Sequence, residues 1–246
     1  MIDVSVVIPV YNEEENLPLL WPELKSVLEA EAIDFEVVFV DDGSRDRSAD
    51  IIRALRDADP RVRLVRLKAN AGETAATDAG FHAARGRRIV TMDADLQNDP
   101  RDIPALLRHL EQWDAVTGWR VNRGEGDSIV RRLSSRIANR VRNWVSDDVI
   151  RDSGCTFRAF RRECLRGLVL YRGFHRFVPT LLKMRGFRVL EVPVNHRPRR
   201  YGTSKYGIGN RALRAFVDLL VVRWMKDRQL RYEVAETLGG DERPRP

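Results

Sequence analysis

Two aspartates stand one residue apart in Asp93-Ala94-Asp95, directly after the apolar run Ile89–Met92. Residues i and i+2 of an extended chain point to one side, so a strand closed by this triplet turns both carboxylates toward one ligand. Paired hard oxygens suit Mg²⁺ or Mn²⁺, ions that keep positions open for phosphate groups instead of being caged by protein. Gln97 extends the same alternation with a neutral oxygen. Two more acidic clusters follow apolar runs: Asn12-Glu13-Glu14 after Val4–Val10, and Asp41-Asp42-Gly43-Ser44 after Phe35–Val40. Each taken singly has an equally ordinary explanation, because Asp and Ser cap helices and Asn, Asp and Gly form turns.

The elements that must position these residues read as alternating strands and helices. Val4–Val10 is a strand, and Leu17, Leu20, Leu24 and Leu28 then recur at helical spacing. The pattern repeats with a strand at Phe35–Val40 and a helix at Ala49–Ala58, then a strand at Val62–Leu67 and a helix at Thr74–Ala84, then the strand Ile89–Met92. Such alternation predicts parallel βαβ units with right-handed crossovers, hence an α/β fold with an open, doubly wound sheet over residues 1 to about 118. Ligands of such sheets sit at the carboxyl ends of the strands, where the acidic clusters lie.

Beyond residue 118 the character changes. Between Trp119 and Ser146 there are seven basic residues against Glu125 and Asp127, and a second basic block runs from Arg185 to Arg211 with Glu191 as its one acid. A helix is predicted over Asn210–Arg231, with Leu213, Phe216, Val217, Leu220 and Trp224 on one stripe. That stripe suits either a membrane interface or packing against the protein's own sheet or a partner. Residues 239–246 read as a frayed tail.

Composition removes several classes of function. The chain has 246 residues, 43 Lys plus Arg against 36 Asp plus Glu, a net charge of +7 and 43% hydrophobic residues. It is long enough to bury a sizeable core, which excludes disorder for most of its length. The longest apolar stretch, Ala215–Met225, is interrupted by Asp218 and Arg223 and is too short to span a bilayer. The first residues carry no basic leader, so a cytoplasmic protein is expected. Cys155 and Cys164 lack companions at zinc spacing and read as reduced thiols. No Gly-x-Gly-x-x-Gly follows a strand, no Gly-x-x-x-x-Gly-Lys occurs, and no Gly-x-Ser-x-Gly is present. Hydride transfer, P-loop phosphoryl transfer and serine-hydrolase chemistry thus lack support. His82 and His109 read as structural.

Four ordered segments carry a resemblance. Val7-Ile8-Pro9-Val10-Tyr11-Asn12-Glu13, Val40-Asp41-Asp42-Gly43-Ser44-Arg45-Asp46, Asp93-Ala94-Asp95-Leu96-Gln97-Asn98-Asp99-Pro100 and Arg199-Arg200-Tyr201-Gly202-Thr203-Ser204-Lys205-Tyr206 resemble the successive signatures of family 2 glycosyltransferases of the GT-A fold. Within that family they look most like the polyprenol-phosphate sugar transferases, in the branch without membrane spans. The resemblance covers residues 1 to about 210. It implies a Rossmann-like, mostly parallel sheet with helices on both faces and a C-terminal amphipathic helical region. The catalytic domain would be 1–207, with a nucleotide-sugar half at 1–118 and an acceptor half at 119–207, followed by an amphipathic helix at 208–238.

By the same resemblance Pro9, Tyr11, Glu13 and Asp41 would hold the base and ribose of a GDP- or UDP-sugar, with Asp42 a further contact. Asp93, Asp95 and Gln97 would bind Mg²⁺ or Mn²⁺ at the diphosphate, and Arg199 and Lys205 would close over the phosphates. Arg120, Arg131 and Ser135 would meet the acceptor phosphate. Asp152 matches an acceptor-side acid whose role is either a base or a turn former. The implied reaction is inverting transfer to a polyprenyl phosphate (dolichyl or undecaprenyl). Because a phosphate monoester is largely a dianion at pH 7, the acceptor needs positive charge more than a base. The enzyme would work at the cytoplasmic face of a membrane, peripherally or with a small membrane partner. Competing readings are a family 2 enzyme with a glycan or protein acceptor, a sugar-phosphate nucleotidyltransferase, and a basic nucleic-acid-binding module. The processive-synthase Gln-x-x-Arg-Trp signature is absent, because Leu220 occupies the Gln position before Arg223-Trp224. Strand one is followed by Tyr11-Asn12-Glu13 rather than a Gly-rich loop, and a nucleic-acid module leaves three acidic strand ends unexplained, so no nucleic acid partner is expected.

Overall fold

The computed structural model describes residues 2–121, 150–201, 209–230, 232 and 235–236. Strands β1 (Val4–Val10) and β2 (Phe35–Asp41) are apolar on both faces, which is why they sit at the centre of the first half rather than at an edge. With β3 (Val62–Arg66), β4 (Arg88–Thr91), β5 (Ala115–Arg120), β6 (Arg158–Arg161) and β7 (Val189–Val194) they form one seven-stranded sheet in the order β3-β2-β1-β4-β6-β5-β7. β1, β2, β3 and β4 pair in parallel, and β5 pairs in parallel with β7. β6 is antiparallel to both its neighbours, β4 and β5. Six strands therefore run one way and a single strand returns.

Helices α1 (Leu17–Ala30), α2 (Ser48–Ala58) and α4 (Ile103–His109) cover one face of the sheet. Leu20, Leu24, Leu28, Ile52 and Leu106 pack there against Val4, Val6, Ile8, Val37 and Phe39. α3 (Glu73–Ala83) covers the opposite face against Val7, Val38, Val40 and Ile89. Its contact is close, because a Cβ on Gly80 would stand 2.2 Å from Val7 Cγ1. The doubly wound arrangement expected from the alternation is thus present, with boundaries shifted by a residue or so. The short elements α5 (Arg162–Leu165), a 3-10 turn at Phe174–Phe177 and α6 (Val178–Met184) extend the α3 side beneath β5 and β7. A line drawn at residue 118 falls inside β5, and both halves contribute to one sheet.

The last helix, α7, spans Gly209–Asp227. Its inner side buries Leu219 and Val222 against Phe174, Phe177 and Leu181. Phe216, Val217, Leu220 and Trp224, the residues placed on one stripe by sequence, are 45–62% exposed and point away from the body. The helix is therefore apolar on two opposite sides, and the sequence stripe is the outer one. No helix among the described residues is long and apolar enough to cross a membrane. The tail 239–246 and the side chain of Leu213 lie outside the described residues.

Candidate functional site

At the carboxyl ends of the parallel strands lies a cleft of about 490 Å³. The end of β1 and the loop after it bring Pro9, Tyr11 and Glu13 to its lining, the loop after β2 brings Asp42, and the loop after β3 and the start of α3 bring Asn70 and Glu73. These loops are stitched together by the short polar side chains that sequence alone reads as caps. Ser44 Oγ accepts the Asn12 N–H at 3.0 Å, Ser48 Oγ accepts the Glu13 N–H at 2.8 Å, and Asp46 accepts the Glu14 N–H at 3.1 Å. Gly43, at φ +67°, permits the approach, since a Cβ there would stand 2.7 Å from the backbone of Ala69 and Asn70.

Adjacent residues of a strand end point to opposite sides, and this separates the two aspartates after β2. Asp42 reaches the cleft, where its carboxylate accepts the Ala71 N–H at 2.7 Å, the Gly72 N–H at 2.9 Å and the Asn70 side-chain amide at 2.9 Å. Asp41 does not. It is fully buried, accepts the Ser44 N–H at 3.0 Å and pairs with Arg66 Nε at 3.1 Å, contacts that shape the turn after β2.

Asp93, Asp95 and Gln97 all line the cleft, but not as an extended strand. β4 ends at Thr91, and the chain then bends, with Leu96 at φ +64°. The bend is held by the Asn98 side chain, which accepts the Asp93 N–H at 2.8 Å, and by Asp95, which accepts the Gln97 N–H at 3.2 Å. Thr156 Oγ1 donates to Asp93 at 2.6 Å, and Arg199 Nη2 reaches both Asp95 at 2.8 Å and Gln97 Oε1 at 3.2 Å. Burial pushes the Asp93 carboxyl up. Burial, with the charge of Asp93 added, pushes Asp95 up to about 6. At Asp93 burial outweighs the charges of Arg120, Arg158 and Arg199, and two buried carboxylates side by side are a donor set a divalent cation fits.

The far wall carries Arg120, Ser153, Gly154, Thr156, His175 and Arg176. Arg120 leaves the end of β5 and is held by Asp152, which accepts its Nε at 2.7 Å and its Nη2 at 2.9 Å. Asp152 is buried and lies behind Arg120 rather than in the lining, so its carboxylate serves a two-point ion pair, which disfavours the base role. Arg131, Ser135 and Lys205 lie outside the described residues. Sequence reasoning passed over Asn70, Glu73, Thr156, His175 and Arg176. The first two follow a strand, so the rule that ligands sit at strand ends marks them once the absence of an acid directly after β3 is not taken as disqualifying. The others follow from the reversed strand β6, which no local pattern reveals.

Residues 5–168 match the family model of glycosyl transferase family 2. Dodecaprenyl-phosphate galacturonate synthase of Rhizobium johnstonii is 36% identical over 228 residues, covering 90% of this chain and 66% of that protein. Undecaprenyl-phosphate 4-deoxy-4-formamido-L-arabinose transferase of Photorhabdus laumondii is 38% identical over 205 residues, covering 82% of this chain and 62% of that one. The chain thus spans just under two thirds of the length of these curated relatives. Among solved structures, glucosyl-3-phosphoglycerate synthase of Mycobacterium tuberculosis with uridine diphosphate superposes with a TM-score of 0.66 at 22% identity, covering 90% of this chain and 80% of that one. The same enzyme with Mn²⁺, UDP-glucose and phosphoglyceric acid gives 0.63 at 20% identity, covering 91% and 78%. The cleft at the strand ends and the single reversed strand thus find their place: the chain belongs to glycosyl transferase family 2 and is built on the GT-A fold.

Proposed function

We propose that the chain transfers a sugar from a GDP- or UDP-linked donor to a polyprenyl phosphate, with inversion at the anomeric carbon. The observation that carries the reading is one cleft lined both by the carboxylates Asp93 and Asp95 and by the guanidiniums Arg120 and Arg199. A nucleoside diphosphate meeting a second phosphate needs both. The similarity to a dodecaprenyl-phosphate galacturonate synthase and an undecaprenyl-phosphate 4-deoxy-4-formamido-L-arabinose transferase supports the acceptor class.

Pro9, Tyr11, Glu13 and Asp42 lie at the end of the cleft where the nucleoside would be held, with Asn70 beside Asp42. Asp93, Asp95 and the amide of Gln97 would bind Mg²⁺ or Mn²⁺. When bound, the ion offsets the negative charge of the donor diphosphate and favours its departure. Arg120, oriented by Asp152, would face the acceptor phosphate, and Arg199 would bridge the metal loop and the phosphates. An oxygen of the acceptor phosphate forms the new bond to the anomeric carbon, while the bond to the diphosphate breaks and its electron pair leaves with the nucleoside diphosphate. The acceptor oxygen carries no proton at pH 7, so no side chain has to remove one. The work of the protein is alignment and charge stabilisation.

A lipid acceptor requires contact with a bilayer. The outer side of α7 offers Phe216, Val217, Leu220 and Trp224, on a segment from Gly209 to Leu230 with five basic and two acidic residues. An exposed apolar face with a basic balance suits an anionic membrane surface. The test of the function is radiolabel transfer from a panel of GDP- and UDP-sugars into solvent-extractable polyprenyl phosphate, with Mn²⁺ or Mg²⁺ and an acceptor-free control. Metal-dependent label in the lipid phase from one donor is expected. Metal-dependent donor hydrolysis without lipid label would overturn the lipid acceptor while leaving the family unchanged.

A further inference from the structure

Arg158 is the first residue of β6, and only 3% of it is exposed. Its guanidinium donates from Nε to Thr117 Oγ1 at 3.3 Å, from Nη1 to the His175 carbonyl at 2.5 Å and from Nη2 to the Ser153 carbonyl at 3.3 Å. Every one of these acceptors is a neutral oxygen. Burying a guanidinium without a carboxylate in direct contact is costly, and a well-packed apolar side chain would serve stability as well or better.

What an apolar side chain cannot do is hold two backbone carbonyls at once. Ser153 and His175 belong to two separate loops, and both line the cleft. The sheet order locates that wall. Asp42 follows β2, Pro9 to Glu13 follow β1, and the Asp93–Asp95 pair follows β4, while the wall arises beyond them, at the entry to β6 and the exit of β5. It lies across the acidic pair from the nucleoside end, where an incoming nucleophile must approach. Because β6 runs backwards, its first residue stands beneath this wall.

We propose that Arg158 is a positioning residue: its planar fork clamps the 153–156 and 173–177 loops together and so fixes the acceptor side of the cleft, where Arg176 also points. The acidic pair has separate support, since Thr156, which donates to Asp93, is itself held through its carbonyl by Thr91 Oγ1 at 2.6 Å. Loss of the fork therefore separates acceptor handling from donor and metal binding. The proposal rests on the transfer reading for its kinetic assay alone.

The experiment compares wild type, Arg158→Met and Arg158→Lys. Calorimetric affinity for nucleoside diphosphate with Mn²⁺ should stay within about threefold, while transfer kcat falls on the order of 100-fold and the acceptor KM rises, as loops misplaced by about 1 Å would cause. Lysine keeps the charge but cannot span both carbonyls, so it should recover a minor part of the loss. Hydrogen exchange should quicken in 153–156 and 173–177 and stay unchanged in β1 and β2. Wild-type kcat and acceptor KM in Arg158→Met would overturn the proposal, as would nucleotide affinity falling in step with kcat. If the methionine variant does not fold, the lysine variant carries the same measurements. A wild-type chain that labels no lipid defeats the transfer reading instead, and the clamp then stands or falls on the exchange pattern.

Discussion

Asp95→Asn should make the metal-free protein more stable while abolishing its activity. In the folded chain the Asp95 carboxyl is pushed from its ordinary 3.8 up to about 6, first by burial and then by the charge of Asp93, with Arg199 opposing. Between about 4 and 6 the folded chain thus holds more protons than the unfolded one, so stability rises as pH falls through 6 and the full penalty is present at pH 7. A difference of 6 against 3.8 corresponds to about 3 kcal/mol, taken as an upper figure because the two carboxyls titrate as a pair. For a chain of this length that is a rise of roughly 5–10 °C in Tm. The assay is thermal unfolding in EDTA at pH 7 and pH 4.5, then with Mn²⁺. The asparagine variant should gain at pH 7, lose its advantage at pH 4.5, show little further stabilisation by Mn²⁺ and no transfer. A variant less stable than wild type in EDTA at pH 7 would refute the reasoning, because the Arg199 pair would then outweigh the repulsion.

Asp59 accepts the Arg61 N–H at 3.1 Å and Arg61 Nε at 2.9 Å and meets Lys25 at 3.0 Å, contacts that hold its carboxyl well below the usual range. Asp59→Asn should cost about 1–3 kcal/mol in urea unfolding at pH 7, a gap that closes as pH falls below the unfolded carboxyl value near 3.8. Gly80→Ala drives a methyl into Val7 and should destabilise by about 1–3 kcal/mol, with Val7→Ala in the same chain restoring part of it in the same measurement. Phe216→Ser with Trp224→Ser should leave the circular dichroism unchanged and lower co-sedimentation with phosphatidylglycerol vesicles on the order of tenfold; equal sedimentation would remove α7 from the membrane reading. Asp152→Asn frees Arg120 and should raise the acceptor KM; a kcat collapse at unchanged KM would restore the base role.

The first half of the fold was legible because β1 and β2 are apolar on both faces and alternate with helices of clean 3.6-residue period. β5, β6 and β7 were not read, and the reason is local. β6 is Arg-Ala-Phe-Arg, and the burial of Arg158 depends, beyond the nearby Ser153 carbonyl, on Thr117 and the His175 carbonyl, 41 and 17 residues away. No window of sequence contains those partners. Asp93, Asp95 and Gln97 were grouped by a period-2 argument, and they do line one cleft, but through a bend at Leu96 rather than along an extended strand. Asp41 and Asp42 show the same limit, since sequence spacing says that neighbours diverge but not which of them faces the cleft. On α7 the outer stripe was legible, and the inner one, Leu219 and Val222, was masked because the helix is apolar on both sides.

The reversed strand brings a chain end of the opposite polarity to the cleft. Parallel strands deliver only their carboxyl ends to one edge, and in this chain β1, β2 and β4 end in acidic or amide residues suited to a nucleotide and its metal. β6 delivers its amino end to the same edge, so Ser153, Gly154 and Thr156 enter the cleft from a chain running the other way, beside Arg120 leaving β5. The two walls of the cleft thus come from segments far apart in sequence, joined by Thr156 to Asp93 and by Thr74 Oγ1, which lies 2.7 Å from His175 Nδ1 and accepts the Gly173 N–H at 3.0 Å. Substitutions on opposite walls that share none of these bonds should combine additively in double-mutant cycles, and pairs such as Thr156 with Asp93 and Thr74 with His175 should not.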